Sequence, residues 1–349
     1  MPQALPTRDQ LLARVDAFAG RPVLMLVDLV ADVFVTGTPK RISREAPVLI
    51  LSYQGERLAP GGGANAVANV AALGGRPLPL GVVGEDDYGR RLVAALAEGG
   101  VETSGIFTRP GYRTPTKVRI LGGGKHSIKQ QIVRYDIEDH LTLTEAEREG
   151  LLRSAASFGP APVAILSDYG YGTVEPGLLA PLRAALTPSG SGTTFVGDSR
   201  YRLGDFAGLD GATPNEEEAE ALLGAEIDDD PERLEAGGRT LLESLSARFL
   251  LITRGSRGMS LFTSEGAAHL PVSGTDQVAD VTGAGDTVIG TFALGLAAGA
   301  SPLEAALLAN YAGGVVVMKM GTATCSPAEL RHAIAADPRP LEELRWVSS

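Results

Sequence analysis

The sequence predicts an α/β protein with a mostly parallel sheet and a small β-sheet lid. Short apolar runs typical of buried parallel strands, such as 163–168 and 194–198, alternate with helical segments such as 174–186. Two β-rich stretches, about 33–60 and 106–136, interrupt this alternation. We expect these two stretches to pair as a sheet over a cleft, where a lid would exclude water.

The composition indicates a soluble globular protein. The 349 residues are 44% hydrophobic and 21% charged, which suffices for one large domain with an appendage. No apolar run approaches the ~20 residues of a membrane-spanning helix, and the start has no signal-peptide core, so we expect a cytoplasmic protein. A net charge of −11 argues against a nucleic-acid or membrane surface. The single cysteine and four scattered histidines predict neither a disulfide nor a clustered zinc or haem site.

The first elements along the chain are a short helix and a buried strand. Residues 1–20 are predicted to be a helical extension, and residues 21–349 the main domain. The apolar run 23–27 is typical of a parallel strand; it ends at Asp28, and Asp32 follows four residues later. Acids at the carboxyl end of such a strand lie where α/β sheets bind ligands, although either one alone is explained by a solvated turn.

A glycine-rich helix start follows the first lid segment. Gly61, Gly62 and Gly63 precede a run of Ala and Asn, and Asn65 offers a donor and an acceptor to a sugar hydroxyl. A dinucleotide-binding fingerprint fits poorly, because these glycines do not follow an apolar strand. Close helix packing through small residues explains the same pattern and does not exclude binding.

Two later segments combine polar residues with turns. Asn215 is a predicted helix N-cap with Glu218 as its capping-box partner, and the same pair suits a hydrated Mg²⁺ ion. The apolar strand 249–253 runs into a glycine-flanked turn where Arg254 offers contacts to phosphate, although an ordinary turn explains it too. Between these elements and the lid, residues 188–192 are predicted to be a flexible surface connection.

The segment 280–286, Asp-Val-Thr-Gly-Ala-Gly-Asp, runs straight into the apolar helix-forming stretch 287–298. Three small residues before a helix predict a tight turn whose N–H groups point toward an anion. Asp286 would repel a phosphate that is merely bound there. The combination therefore favours a base beside amides that stabilise a phosphoryl group in transfer. The structural alternative is a helix N-terminus with an acid in its first turn.

These segments occur in the order seen in the ribokinase-like (PfkB) sugar kinases, which the chain resembles over roughly residues 22–335. The resemblance implies a three-layer α/β/α fold with the sugar under the lid and ATP in a groove across the sheet edge. It also implies Mg²⁺ and leaves open whether a monovalent cation assists. Asp286 would be the catalytic base, and the amides of Gly283, Ala284 and Gly285 would form the anion hole. The other implied contacts are Asp28, Asp32, Gly62, Gly63, Asn65 and Asp168 for the sugar, Asn215, Thr253, Arg254, Gly255, Gly258 and Asn310 for the nucleotide, and Asn215 and Glu218 for the metal.

Within this family the chain is most similar to the heptose 7-phosphate kinases of ADP-heptose biosynthesis. The similar segments are 41–48, 116–119, 167–170 and 286–290. They imply phosphorylation of the anomeric hydroxyl of D-glycero-D-manno-heptose 7-phosphate, a lipopolysaccharide precursor. The candidates for binding the 7-phosphate are the cations Lys117, Arg119 and Arg134.

Two departures from the relatives leave other functions open. Tyr171 stands where a lysine is usual, and Val27 where a glycine is usual before the first acid. A kinase for a fructose-, ribose- or tagatose-type sugar is one alternative, and a sugar-sensing protein without turnover is another, against which Asp286 argues. A nicotinamide-dependent oxidoreductase conflicts with the glycine pattern. Relatives often carry a fused nucleotidyltransferase with a His-x-Gly-His signature that this sequence lacks, so we expect a separate nucleotidyltransferase downstream. An exposed lid edge predicts a homodimer.

Overall fold

A computed structural model describes residues 5–124, 129–186, 192–227, 230–274 and 279–348. The predicted surface connection 188–192 falls almost entirely outside these residues. The helices are α1 (Arg8–Asp16), α2 (Gly63–Ala72), α3 (Asp87–Glu98), α4 (Glu145–Phe158), α5 (Leu179–Leu186), α6 (Glu216–Leu223), α7 (Pro231–Ser244), α8 (Ala284–Ala297), α9 (Pro302–Val316), α10 (Pro327–Ala336) and α11 (Arg339–Glu342). The strands are β1 (Pro22–Val27), β2 (Leu29–Ile42), β3 (Leu49–Gly62), β4 (Arg76–Gly84), β5 (Ile106–Arg109), β6 (Thr116–Gly122), β7 (Gln130–Ile137), β8 (Val163–Asp168), β9 (Thr194–Ser199), β10 (Gly211–Ala212), β11 (Phe249–Thr253), β12 (Met259–Thr263), β13 (Gly266–Leu270) and β14 (Arg345–Ser348).

The main sheet has the strand order β14-β13-β12-β11-β10-β9-β8-β1-β4-β5. Its strands pair in parallel from β11 through to β5, and β12, β13 and β14 continue the sheet in antiparallel fashion. Both faces are covered. In β1, Val23 and Met25 belong to a core shared with α2, α8 and α9, whereas Leu24 and Leu26 belong to a second core with α4 and α5. The continuous apolar run of β1 follows from this burial on both faces, and the predicted α/β fold class is confirmed.

A separate four-stranded sheet, which we call the lid sheet, has the order β3-β2-β6-β7. β2 continues almost directly from β1, and β3 returns to the start of α2, so both ends of this hairpin meet the main domain. The second lid segment is shorter than predicted. Ile106 pairs with Gly81 of β4, so β5 extends the edge of the main sheet and lies outside the lid.

The N-terminal helix α1 contributes to the core of the main domain. A capping box between Thr7 and Gln10 begins it. Leu11, Val15 and the following Phe18 are buried in the same core as α8, α9 and α10. Among the described residues, no helix combines the length and apolar character that a bilayer crossing needs.

Candidate active site

The turn before α8 has the tight geometry that the glycines predict. Gly283 is the N-cap of α8 with φ of 78°, a left-handed conformation that favours glycine. A Cβ atom there would lie 2.3 Å from Nδ2 of Asn65, so no larger residue fits without movement. At Gly285 a Cβ would meet no atom within 4 Å, which leaves open space beside the start of the helix.

The predicted anion hole is only partly correct. The N–H of Ala284 donates to the Val281 carbonyl at 3.2 Å, because the turn closes on itself there. By contrast, the N–H groups of Gly283, Gly285 and Asp286 donate to no acceptor within the described part of the chain. These three groups, at the positive end of the α8 dipole, are therefore the ones available to an anion.

Asp286 is a buried carboxylate held on both oxygens. The Tyr169 hydroxyl donates to Oδ1 at 2.6 Å, and Asn65 Nδ2 donates to Oδ2 at 3.1 Å. Burial raises the pKa of Asp286 to about 7, and the hydrogen bonds from Tyr169 and Asn65 oppose that rise. A carboxylate that titrates near neutrality is suited to general base catalysis.

A cavity of about 370 Å³ lies between this carboxylate and the lid sheet. This volume lies within the range of small-molecule sites. Of the predicted substrate residues, those that line the cavity are Asp32, Gly62, Lys117, Arg119 and Arg134.

The cations of the lid sheet are paired with acids. Arg119 forms a salt bridge with Asp32, whose pKa is raised by burial despite this partner. Lys117 lies 3.5 Å and Arg134 3.0 Å from opposite oxygens of Asp136. The side chain of Arg134 is 48% exposed, so it is the most accessible of the three cations.

Tyr171 places a neutral hydroxyl among these charges. Burial raises its pKa to about 12, so the hydroxyl keeps its proton. It donates to Glu138 Oε1 and accepts from Lys117 Nζ, each at 3.4 Å. At the position where the resemblance implies a lysine, this cavity therefore has a hydroxyl that accepts a hydrogen bond from Lys117.

Asp28 and Asp168 do not contact the cavity, contrary to our expectation. Asp28 is fully buried, and three backbone N–H groups of residues 169–173 donate to its two oxygens at 2.9 Å each. Asp168 is buried as well and accepts two bonds from Arg202 and one from Ser199. Both acids lie at the carboxyl ends of neighbouring strands, β1 and β8, where they hold the loop that follows β8.

Gly63 and Asn65 also lie behind the cavity wall. A Cβ at Gly63 would lie 2.5 Å from Cβ of Val27, so this glycine allows α2 to pack against β1. Asn65 is 2% exposed, and its amide donates to Asp286 and to the Gly283 carbonyl. The predicted contact of Asn65 with the sugar is thus replaced by a contact with the predicted base.

A second cleft, of about 800 Å³, lies on the other side of the 280–286 turn. It is lined by four of the predicted nucleotide residues, Asn215, Thr253, Arg254 and Gly255. Val281 lines this cleft, whereas the next residues of the same turn line the lid cavity. The turn therefore contributes residues to both the lid cavity and this cleft, an arrangement suited to transfer of a group between two bound molecules.

Two of the predicted nucleotide residues do not line this cleft. A Cβ at Gly258, where φ is 80°, would lie 2.0 Å from the Leu270 carbonyl oxygen, so this glycine allows close packing on β13. Asn310 is 2% exposed in α9, and its amide donates to the Pro271 carbonyl at 2.7 Å.

The capping box at α6 forms as predicted. Asn215 Oδ1 accepts from the Glu218 N–H, and Glu218 Oε2 accepts from the Asn215 N–H, each at 2.9 Å. The Asn215 side-chain oxygen thus already accepts a hydrogen bond, which makes it less available to a metal ion. Glu218 retains a second oxygen, and its pKa is raised by burial.

Asp198 is an acidic residue near Glu218 that the sequence reasoning missed. Its pKa is raised well above the ordinary value by burial and by the charges of Glu218 and Asp286. Both acids are partly buried. Acids that repel one another suit a divalent cation, and Mg²⁺ usually binds through one or two carboxylates and retains several waters. No cluster of three or more potential metal-binding side chains occurs among the described residues. The sequence could have indicated Asp198, because it is the last residue of the predicted strand 194–198 and therefore lies at the carboxyl end of a parallel strand.

Comparison with known proteins agrees with this geometry. The family model "pfkB family carbohydrate kinase" matches residues 24–158 and 205–329. Two proteins called bifunctional protein HldE are 40% identical to the chain. The one from Mesorhizobium japonicum aligns over 94% of this chain and 65% of its own length, and the one from Caulobacter sp. over 95% and 67%. The chain thus spans about two thirds of the length of these relatives.

Solved structures share the fold at low sequence identity. Phosphofructokinase-2 from Escherichia coli, solved with substrates and products, gives a TM-score of 0.72 at 20% identity, over 90% of this chain and 98% of its own. Ribokinase from Arabidopsis thaliana, solved with ribose and ATP, gives a TM-score of 0.69 at 20% identity, and the match covers 91% of this chain and 100% of the ribokinase chain. The chain belongs to the pfkB family of carbohydrate kinases and is a phosphotransferase that acts on a sugar hydroxyl.

Proposed function

We propose that the protein transfers the γ-phosphate of ATP to the anomeric hydroxyl of D-glycero-D-manno-heptose 7-phosphate. The observation that carries the proposal is Asp286, a carboxylate with a pKa of about 7, beside a turn that borders two cavities. The choice of heptose 7-phosphate as the substrate rests on the resemblance of segments 41–48 and 116–119 to heptose 7-phosphate kinases and on the identity of about 40% with the HldE proteins.

The proposed reaction is an in-line transfer across the 280–286 turn. Asp286 accepts the proton of the sugar hydroxyl as that oxygen forms a bond to the γ-phosphorus. The bond from the γ-phosphorus to the bridging oxygen of ADP breaks, and ADP carries away that electron pair. The N–H groups of Gly283, Gly285 and Asp286 stabilise the charge on the transferred group. Asp198 and Glu218 would hold Mg²⁺ through water, and the ion would neutralise charge on the phosphates.

The lid cations are the proposed partners of the 7-phosphate. Arg134 is half exposed and shares Asp136 with Lys117, so a phosphate can bind Arg134 without removing the only partner of that acid. Tyr171 supports a second candidate, a kinase of another sugar phosphate, because it replaces a cation with a hydroxyl.

We also propose a homodimer through the lid sheet. β3 and β7 are its two edges, and an unpaired edge can pair with another copy. Its exposed large apolar side chains are Ile42, Leu49, Tyr53, Ile132, Val133 and Tyr135. Light scattering after size exclusion should show a dimer that Tyr53→Glu converts to monomers, whereas Met318→Glu, outside the lid, should leave it intact. A monomeric wild-type protein would contradict this part of the proposal.

The test of the function is a coupled ADP-release assay over a panel of sugars. We expect the highest kcat/KM with heptose 7-phosphate, compared with free heptose, ribose, fructose 6-phosphate and tagatose 6-phosphate. Turnover of free hexoses without turnover of heptose 7-phosphate would refute the substrate.

The test of the base is the isosteric variant Asp286→Asn. Loss of a general base should lower kcat by about 10²- to 10⁴-fold while ATP still binds. Asp87→Asn is the matched control, since Asp87 also lies in the first turn of a helix but its side chain is 66% exposed. Equal activity of the two variants would exclude Asp286 as the base.

A further inference from the structure

We propose that Tyr169 is a positioning residue for the base: its hydroxyl holds Oδ1 of Asp286 and fixes the carboxylate in the orientation that receives the sugar proton. The inference rests on the proposed role of Asp286. It starts from the short hydrogen bond of 2.6 Å between the two side chains, and Tyr169 also lines the lid cavity.

The backbone that carries Tyr169 is held from one side by Asp28. Oδ2 of Asp28 accepts from the N–H groups of Tyr169 and Tyr171, and Oδ1 accepts from that of Thr173. Three bonds to one buried carboxylate fix every second residue of this loop. This accounts for a fully buried acid at the end of β1 that does not reach the cavity.

Asp168 holds the same loop from the other side. Its Oδ1 accepts from the Gly170 N–H, and both of its oxygens are bound by Arg202. Ser199, at the end of β9, donates to Oδ2 as well. Because β1, β8 and β9 are neighbours in the sheet, the position of Tyr169 is fixed by the sheet edge itself.

The two donors on Asp286 define the plane of its carboxylate. Tyr169 occupies one lone pair of Oδ1 and Asn65 occupies one of Oδ2, and each oxygen keeps another lone pair for a proton. Without the tyrosine hydroxyl, Asn65 alone would leave the group free to rotate. Orientation of this kind affects kcat more than substrate binding.

The charged groups around Asp286 and its hydrogen bond from Tyr169 together determine the pKa of this carboxyl group. Asp32 and Asp198 are nearby acids, and Arg200 is the nearby cation. Burial is the main cause of the raised pKa of Asp286, and the Tyr169 hydrogen bond is the largest opposing effect. Burial and the charges of Asp286 and Asp198 raise the pKa of Tyr169 far above its ordinary value, so its hydroxyl stays a donor.

The test compares Tyr169→Phe with wild type over a pH series of kcat and KM. We expect kcat to fall at least tenfold with KM for ATP within twofold. The acidic limb of the kcat/KM profile should move to higher pH by about one to two units, since a hydrogen bond to a charged group stabilises the ionised form by that amount. Tyr311→Phe is the matched control, because it also removes a buried hydroxyl with one bond, to the Asp337 carbonyl. The acidic limb of the kcat/KM profile of Tyr311→Phe should stay at the wild-type pH.

Replacement of Tyr169 by 3,5-difluorotyrosine keeps the shape and strengthens the donor, so the limb should move downward. This second variant keeps the test open if Tyr169→Phe does not fold. A limb that stays in place in both variants would overturn the inference, whatever happens to kcat. Full activity of Asp286→Asn would instead refute the proposed base, and that result is separate from the Tyr169 series.

Discussion

Replacing Gly283 by alanine should damage both stability and turnover, and the magnitude follows from the geometry. The new Cβ would lie 2.3 Å from Asn65 Nδ2, whereas ordinary contacts begin at 3.4 Å, so about 1.1 Å of movement is needed (3.4 − 2.3). A shift of that size breaks at least one bond from Asn65, which donates to Asp286 at 3.1 Å and to the Gly283 carbonyl at 3.2 Å. A bond to a charged group contributes about 1.5 to 3 kcal/mol. Alanine at a positive φ costs about 1 to 2 kcal/mol more.

The expected loss is therefore roughly 3 to 5 kcal/mol in the free energy of unfolding, measured by urea denaturation. kcat should fall at least tenfold, since about 1.4 kcal/mol of lost transition-state stabilisation suffices for that. Gly285→Ala is the control for stability. Its Cβ meets nothing within 4 Å, so the variant should be as stable as wild type or slightly more stable. If Gly283→Ala proved as stable as Gly285→Ala, the reasoning about this turn would be wrong.

Three further predictions concern the acids of the site. The pKa of Asp286 is raised to about 7 and the base must be ionised, so kcat/KM should fall as the pH falls through 7. Arg200 lowers this pKa, so Arg200→Gln should shift the fall in kcat/KM to higher pH. The substrate phosphates titrate identically with both proteins and cannot cause that shift. Arg202→Gln leaves the buried Asp168 without a cation and should lower the unfolding free energy by about 2 to 4 kcal/mol in urea titrations; an unchanged midpoint would count against this role. Glu218→Gln should raise the Mg²⁺ concentration for half-maximal activity about tenfold, and removal of Mg²⁺ by EDTA should stop wild-type turnover.

Local sequence patterns predicted the local structure well. The capping box of Asn215 and Glu218 involves atoms three residues apart, so the sequence contains all the information it needs. The buried strands follow from apolar runs that must be covered on both faces. The assignment of β5 to the lid failed because a four-residue strand does not reveal whether it pairs with β4 or with β6.

The site was harder to predict because its key contacts join residues far apart in the chain. Tyr169 and Asp286 are 117 residues apart, and Asn65 and Asp286 are 221 apart. The pattern of each segment indicates its type, but it cannot indicate which segment's side chain meets the base. The sequence reasoning therefore assigned Asn65 to the sugar, whereas its side-chain amide donates to the Asp286 carboxylate.

The acids at this edge of the sheet show how structure separates similar sequence signals. Asp168 accepts four hydrogen bonds and Asp28 accepts three, so most of the lone pairs of these two acids are occupied by groups of the protein. Asp198 and Glu218 have raised pKa values with one another as neighbours, which suits an added cation. Asp286 receives one donor on each oxygen, enough to orient it but too few to satisfy it. The number of donors therefore separates Asp28 and Asp168, which hold the loop after β8, from Asp286, for which we propose proton transfer. For Asp198 and Glu218 it is the raised pKa values that support the proposed binding of Mg²⁺.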